Sequence, residues 1–280
     1  MASIPTITLR DGEVVPRLGV GTWHMGERSG SRAAEVEALR LALDLGMNLI
    51  DTAEMYGAGG AESVVGEAIR GWRESVFVVT KFYPHHASRR KLIAACDGSL
   101  AQLGGETIDL YLLHWRGTVP LEETVSTLEE LVRIGKIQRW GVSNFDVADM
   151  EELFAVPGGD QCAANQVLYN LAHRGIEFDL LPWCAGRRIP IMAYSPLDEG
   201  RLARHPALVA VAERLHVEAA QVALAWLLRK DNVMSIPKAA NIRHIRSDRA
   251  AADVMLDKAA LEEIDRAFPP PRRKRPLDMI

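Results

Sequence analysis

Four side chains in this sequence are of types that together can move a proton at a carbonyl group. They are Asp51 and Tyr56 in "NLIDTAEMYG", Lys81 at the end of "VFVVTK", and His114 at the end of "IDLYLLH". A free tyrosine, with a pKa of about 10, is a poor acid at neutral pH. An adjacent ammonium favours the phenolate and lowers that value, and Lys81 can supply the charge. Asp51 can pair with Lys81 and hold it in place, while His114 can donate a hydrogen bond to a substrate oxygen. The set describes a proton donor beside a carbonyl that is gaining electrons. Each member alone has a plainer reading. An Asp–Lys pair at a strand end serves as a structural ion pair, and a histidine after a strand serves as a turn residue. On residue types alone both readings stay open.

Bringing four such distant residues together requires a particular scaffold. Eight strand-like runs follow one another: "RLGVGT", "NLIDT", "VFVVTK", "IDLYLLH", "RWGVSN", "AANQVLY", "IPIMAYS" and "VMSIPK". Their ends recur at roughly 30-residue intervals, the length of a strand, a helix and two loops. Amphipathic segments lie between several of them. Ser31, Ser88 and Asp146 are candidate helix caps, and Gly46, Gly104 and Gly135 are candidate stops. Two more helical patterns, "EAAQVALAWLLRK" and "DKAALEEIDRAF", come late, and the long last interval has room for "PALVAVAERLH" as an extra helix. The expected fold is an α/β (β/α)8 TIM barrel, one domain over residues 1–280, with an N-terminal hairpin turning on Asp11-Gly12 as a two-residue turn. The Pro- and Arg-rich tail "FPPPRRKRPLDMI" reads as a short, solvated or loosely packed segment. In such a barrel the reactive residues sit at the C-terminal ends of the strands. Asp51, Lys81 and His114 end consecutive strands, and Tyr56 lies just past the first of them.

Composition narrows the function classes. Charged residues make up 25% and hydrophobic ones 48%, as in a globular chain. A formal charge of −4 gives no reason to expect nucleic acid or an anionic membrane as partner. The N-terminus lacks signal-peptide features and no run is long and apolar enough to span a bilayer. Cys96, Cys162 and Cys184 are far apart and suggest neither a disulfide framework nor a metal pattern, so a reducing cytoplasm is the expected home. No metal is expected at His85-His86, since adjacent histidines chelate one ion poorly and no partner ligands lie at zinc spacing.

With these motifs in order, "GTW" at Gly21, "NLIDTAEMYG", "VVTK", "DLYLLHW", "GKIQRWGVSNF", "NQVLYN", "AYSPL" and "IPKA", the chain resembles the aldo-keto reductase superfamily over nearly its whole length. It looks most like compact bacterial members that reduce methylglyoxal and similar small aldehydes. The resemblance places the family's catalytic tetrad on Asp51, Tyr56, Lys81 and His114 without substitution. It implies hydride transfer from NADPH to an aldehyde or ketone carbon, with Tyr56 protonating the oxygen.

There is no Rossmann fingerprint, since "GVGTWH" and "GAGGAE" carry His24 and Glu62 where a third glycine is needed. The family binds NADP on the barrel itself. By resemblance Ser143, Asn144 and Gln166 hold the nicotinamide carboxamide, Tyr194 stacks on the ring, and Ser195, Pro196 and Leu197 lie along the pyrophosphate. Gly21, Thr22, Trp23 and Asp51 belong to the same cofactor site. So do Ile236, Pro237, Lys238, Ala239, His244 and Asp248, with Lys238 matching the lysine at the 2′-phosphate. Three positions depart from the family pattern. Ala239 replaces a common Ser or Thr, His244 a common Arg, and Asp248 stands where an asparagine often meets the adenine. NADPH is the expected cofactor, with NADH use open. Arg243, Arg246 and Arg249 lie nearby, without a sequence signal for which faces the ligand.

Trp23, Tyr56, Phe82, His114 and Trp115 are the expected substrate-binding residues, with Tyr83 beside them. Trp140, Trp183 and Trp226 read as packing residues. Short loops suggest a permissive pocket for small aldehydes, methylglyoxal-like dicarbonyls and aromatic aldehydes. A small carbonyl substrate is the expected partner, and a monomer the expected state, with weak self-association open. A nicotinamide-sensing regulatory subunit would use the same barrel with a docking extension. An unrelated barrel enzyme would need a phosphate loop or metal cluster that the sequence does not display.

Overall fold

The structure, a computed structural model, describes residues 3–280. Strands β1 (Thr6–Thr8) and β2 (Val14–Pro16) form an antiparallel hairpin with Thr8 opposite Val14. The turn is longer than the two-residue form expected from Asp11-Gly12. Leu9 N–H donates to Glu13 O at 2.8 Å and Gly12 N–H to Leu9 O at 3.0 Å, which leaves a three-residue connection. Gly12 closes it at φ +95°, a left-handed position that a side chain would strain.

Eight parallel strands follow: β3 (Val20–Gly21), β4 (Leu49–Asp51), β5 (Phe77–Phe82), β6 (Leu110–Leu113), β7 (Trp140–Ser143), β8 (Asn165–Leu168), β9 (Ile191–Tyr194) and β10 (Val233–Ser235). They pair in chain order from β3 to β10. The sheet closes on itself, because Gly19 N–H donates to Ser235 O and Gly21 N–H to Pro237 O, both at 2.9 Å. Parallel bridges Leu18–Ser235 and Gly21–Lys238 mark the seam. The expected (β/α)8 barrel is therefore present.

Among the described residues, ten α-helices surround it. In chain order they are α1 (Arg32–Asp44), α2 (Gly60–Ala68), α3 (Arg89–Leu103), α4 (Leu121–Arg133), α5 (Val147–Ala155), α6 (Leu180–Gly186), α7 (Pro206–Leu215), α8 (Ala219–Leu228), α9 (Ile242–Ala250) and α10 (Lys258–Ala267). Asp146 caps α5 in a reciprocal capping box with Asp149, and Asp257 caps α10 through Ala260 N–H. Ser31 and Ser88 occupy cap positions without bonding the helix backbone; Ser31 Oγ instead donates to Glu35 and to the Arg28 carbonyl. Gly104 ends α3 in the left-handed conformation, as expected. The segment Pro206–Leu215 forms the anticipated extra helix, α7, before β10.

Two apolar layers hold the fold. One lies inside the barrel and includes Leu49, Val79, Leu110, Leu112, Met192, Met234 and Ile236. Leu9 and Val15 of the hairpin belong to the same cluster and plug the barrel bottom. The other lies between strands and helices, where the stripes Val36/Leu39/Leu43 of α1 and Leu92/Cys96/Leu100/Leu103 of α3 are buried. The three cysteines are free and buried. Trp140 and Trp226 are buried as packing residues, and Trp183 packs against Phe154 and the Arg187 guanidinium. No helix among the described residues is long and apolar enough to cross a membrane.

The C-terminal segment differs from the loose tail expected of its composition. Lys274 pairs with Asp179, Leu277 packs on the core, and Asp278 accepts a 2.8 Å hydrogen bond at His173 Nδ1. Apolar and ionic anchors thus return the chain to the mouth of the barrel.

Candidate active site

Asp51 is the last residue of β4 and Lys81 lies near the end of β5, the next strand round the barrel. Side chains alternate along a strand, so both point into the barrel mouth. The Lys81 ammonium donates to Asp51 Oδ2 at 2.8 Å and to the Thr52 carbonyl at 2.7 Å, and lies 3.4 Å from Tyr56 Oη. Its side chain is 0% exposed and that of Asp51 4%. Asp51 Oδ1 accepts from Gln166 Nε2 at 2.7 Å, so both carboxylate oxygens are engaged. Burial would lower the Lys81 value, but Asp51 and Tyr56 outweigh it and hold the ammonium above its ordinary range.

Tyr56 behaves differently from the expectation of a depressed phenol. Burial pushes it above its ordinary value, against the pull of Lys81 and with a further push from Asp51. Burial outweighs the attraction of the Lys81 charge, which Asp51 partly offsets. Tyr56 therefore keeps its proton at neutral pH and has one to donate. His114 follows β6, with its ring edge-on to that of Tyr56 at 6.0 Å between centroids. Burial first, and then the Lys81 ammonium, push His114 down to about 3. The ring is a neutral imidazole, and among the described residues its buried Nδ1 has no hydrogen-bond partner. The tautomer that avoids stranding an N–H there carries its proton on Nε2.

Glu54, between Asp51 and Tyr56, fixes this loop to the β5 end. Its Oε1 accepts from Tyr83 N–H at 2.6 Å and pairs with His86 Nδ1 at 2.8 Å. Gly26 lets the loop after β3 lie against the start of α2, since a Cβ there would fall 2.2 Å from the Gly60 backbone.

The tetrad opens onto a cavity of about 1190 Å³, larger than the roughly 300–1,000 Å³ usual for small-molecule sites. Trp23, Tyr56, His114 and Trp115 line it around the reactive end, with Gly21, Thr22 and Asp51 at its floor. Ser143, Asn144, Gln166 and Tyr194 line it from β7, β8 and β9, and Tyr194 Oη donates to Asn144 Oδ1 at 3.0 Å. Ser195, Pro196 and Leu197 continue the lining, followed by Ile236, Pro237, Lys238, His244 and Asp248 after β10. Asn144, Ser195, Asp198 and Glu199 have φ of 59°, 48°, 51° and 51°. Such left-handed non-glycine residues concentrate where backbone is bent to shape a site.

Lys81 lies buried beneath Asp51 and Tyr56 without lining the cavity, and two further expected site residues do not reach it. Phe82 alternates with the inward Lys81, so it points outward, is 0% exposed and packs on Tyr111. Ala239 alternates in the same way with Lys238 and is 1% exposed in the outer core. Tyr83 packs on His85 and Trp115 outside the lining. Of the nearby arginines, Arg243 and Arg246 face solvent and Arg249 donates to the Leu45 carbonyl. The structure adds His24, Met55, Arg204, Glu218, Asn241, Ser247, Met279 and Ile280 to the lining. Asn241 had a legible signal, an Asn before a helical run; it caps α9 through His244 N–H. Met279 and Ile280 had none, because only the folded-back tail brings them there.

A closed eight-stranded α/β barrel with these groups at its C-terminal mouth defines a class, and the sequence pattern of the Aldo/keto reductase family matches residues 17–268. The chain belongs to that family and is an oxidoreductase. It is 52% identical over 271 residues to methylglyoxal reductase YeaE of Escherichia coli K12, covering 95% of each chain. Among solved structures, an aldo/keto reductase from Klebsiella pneumoniae in complex with NADP and acetate is similar with a TM-score of 0.96 at 49% identity, covering 98% of this chain and 99% of that one. An aldo-keto reductase from the same organism in complex with NADPH has a TM-score of 0.97 at 48% identity over 100% of both chains.

Proposed function

We propose that the protein reduces small aldehydes, ketoaldehydes such as methylglyoxal, and aromatic aldehydes to alcohols with NADPH, using Tyr56 as the proton donor. The observation that carries this reading is the buried Asp51–Lys81–Tyr56 line beside a neutral His114 at the mouth of a large cavity. The residues present fit a nicotinamide dinucleotide. The volume accommodates more than a small carbonyl compound, an aromatic face and amide-binding side chains lie near the tetrad, and Lys238 supplies a cation further along. Ser143, Asn144 and Gln166 would hold the carboxamide, Tyr194 the ring, Ser195 to Leu197 the pyrophosphate, and Lys238 the 2′-phosphate. When bound, the nicotinamide supplies the hydride.

The chain's own part is positioning and proton transfer. His114 Nε2–H and Tyr56 O–H are the two donors at the reactive end of the cavity, and together they would orient the carbonyl oxygen. As that oxygen gains negative charge, Tyr56 releases its proton to it, and the phenolate left behind is stabilised by Lys81. Asp51 holds Lys81 charged and in register. Trp23 and Trp115 wall the reactive end with apolar surface and limit water. The similarity to methylglyoxal reductase YeaE supports small ketoaldehydes as substrates. Buried Ala239 offers no hydroxyl to a phosphate, so NADH is the comparison to make.

The test mixes purified protein with NADPH or NADH and a panel of aldehydes while cofactor oxidation is followed. Tyr56→Phe is expected to bind NADPH normally and to lose roughly 10²–10⁴-fold in kcat, the contribution of a positioned general acid. A kcat near wild type would remove Tyr56 from its role.

A further inference from the structure

Asp248 is a carboxylate in an unusual place. It lies on α9, is 3% exposed, and lines the same cavity as Lys238 and His244. Among the described residues no side chain or backbone group hydrogen-bonds its carboxyl. Its neighbours are better served. Glu218, at the start of α8, accepts from Ser247 Oγ at 2.5 Å and caps its own helix with Gln221. Arg249, next in the chain, turns away to the Leu45 carbonyl. A buried carboxyl without a donor, facing a cavity, is costly as an anion and tolerable as a neutral acid.

We propose that Asp248 binds the adenine edge of the cofactor as a neutral carboxylic acid, and that cofactor affinity falls as alkali ionises it. This rests on the dinucleotide reading of the cavity given above. A neutral carboxyl presents an O–H donor beside a C=O acceptor. An adenine edge presents a ring nitrogen that accepts beside an amino group that donates. The two faces pair through two hydrogen bonds, as an amide side chain would. The ionised form keeps only acceptors and leaves the ring nitrogen unpaired.

Electrostatics at the site act in the same direction. Burial, with the Glu218 carboxylate adding to it from α8, raises Asp248 to about 8. The other charged or titratable groups lining the cavity on this side are Lys238 before α9, His244 on it, and Glu199 and Arg204 from the segment after β9. Bound adenine would stabilise the protonated form further. The sign is fixed: binding needs the proton, so affinity is full below about pH 8 and declines above it.

The test is NADPH affinity, read by quenching of tryptophan fluorescence, from pH 6.5 to 9.5 for wild type and Asp248→Asn. Circular dichroism at each pH confirms that both stay folded. For wild type the Kd is expected to rise about tenfold per pH unit once the carboxyl ionises, the slope of one linked proton. Asp248→Asn, which keeps the donor and acceptor at every pH, is expected to hold its Kd within about twofold across the alkaline range. The fragment 2′,5′-ADP should follow the wild-type slope, since it retains the adenine. A flat wild-type profile with tight NADPH binding, or an equal slope in Asp248→Asn, overturns the proposal while leaving the dinucleotide reading intact. Absence of NADPH binding at every pH defeats both.

Discussion

The Asp51–Lys81 pair offers a direct way to separate stabilisation from chemistry. The ammonium is fully buried and its carboxylate nearly so, at 2.8 Å. Lys81→Met would leave the buried Asp51 carboxyl with only the Gln166 N–H on one oxygen. Asp51→Asn would leave the ammonium facing the Thr52 carbonyl and an amide. Breaking one side of a buried ion pair costs about 3–5 kcal/mol. In a chain of this size that lowers Tm on the order of 10 °C. The double variant, Asp51→Asn with Lys81→Met, removes both charges, so its loss should be smaller than that of either single one. Turnover should not follow stability. Lys81→Met and the double variant lack the ammonium at Tyr56, and Asp51→Asn leaves it without its anchor, so all three should lose on the order of a hundredfold or more in kcat. Urea unfolding and NADPH oxidation on the same four proteins measure both quantities. Additive losses of stability would show that the charges are not a coupled pair. Recovery of turnover in the double variant would show that the pair is structural and that the reaction does not use its charge.

His114 gives a pH prediction with a fixed sign. Its folded value, about 3, lies below the ordinary 6.5, so the unfolded chain binds a proton that the folded chain refuses. Stability should fall as pH drops from 6.5 toward 3, and His114→Gln should make that fall shallower in urea unfolding at pH 7 and pH 5. Phe82 and Trp115 are expected to separate cleanly. Phe82→Ala should cost about 3–5 kcal/mol of stability with little change in KM for aldehydes, whereas Trp115→Ala should raise KM and leave Tm nearly unchanged.

Much of this site is legible because strand ends are marked by polar residues that interrupt apolar runs. Asp51, Lys81 and His114 each follow such a run, and the structure brings them to one rim beside Tyr56. What misled was reading neighbours of a site residue as site residues. Phe82 and Ala239 are adjacent to Lys81 and Lys238, and the two-residue alternation of extended chain turns them the other way. Helices α2 and α6 had weak signals. The first opens on glycines and small residues, and the second has seven residues with Pro182 inside. The raised Tyr56 value comes first from how completely the folded chain buries the phenol, which no spacing encodes. The contribution of Met279 and Ile280 depends on His173 and Asp179 holding the tail, contacts between residues about a hundred positions apart.

The seam between β3 and β10 divides the labour of the molecule. The proton-handling residues all come from the first four barrel strands, β3 to β6, and the segments just after them, ending with His114 immediately past β6. The residues proposed to hold the dinucleotide come mainly from β7 onward. At the site itself the halves meet through Gln166 to Asp51, Asn144 Nδ2 to the His114 carbonyl at 3.1 Å, and the Gly21–Lys238 bridge at the seam. On the proposed reading, substitutions meant to change cofactor preference fall in the second half of the gene, while the acid–base residues are encoded in the first. Conversely, a circular permutant opened in a surface loop keeps both halves, whereas a chain cut before β10 keeps the tetrad but loses the adenosine end together with ring closure.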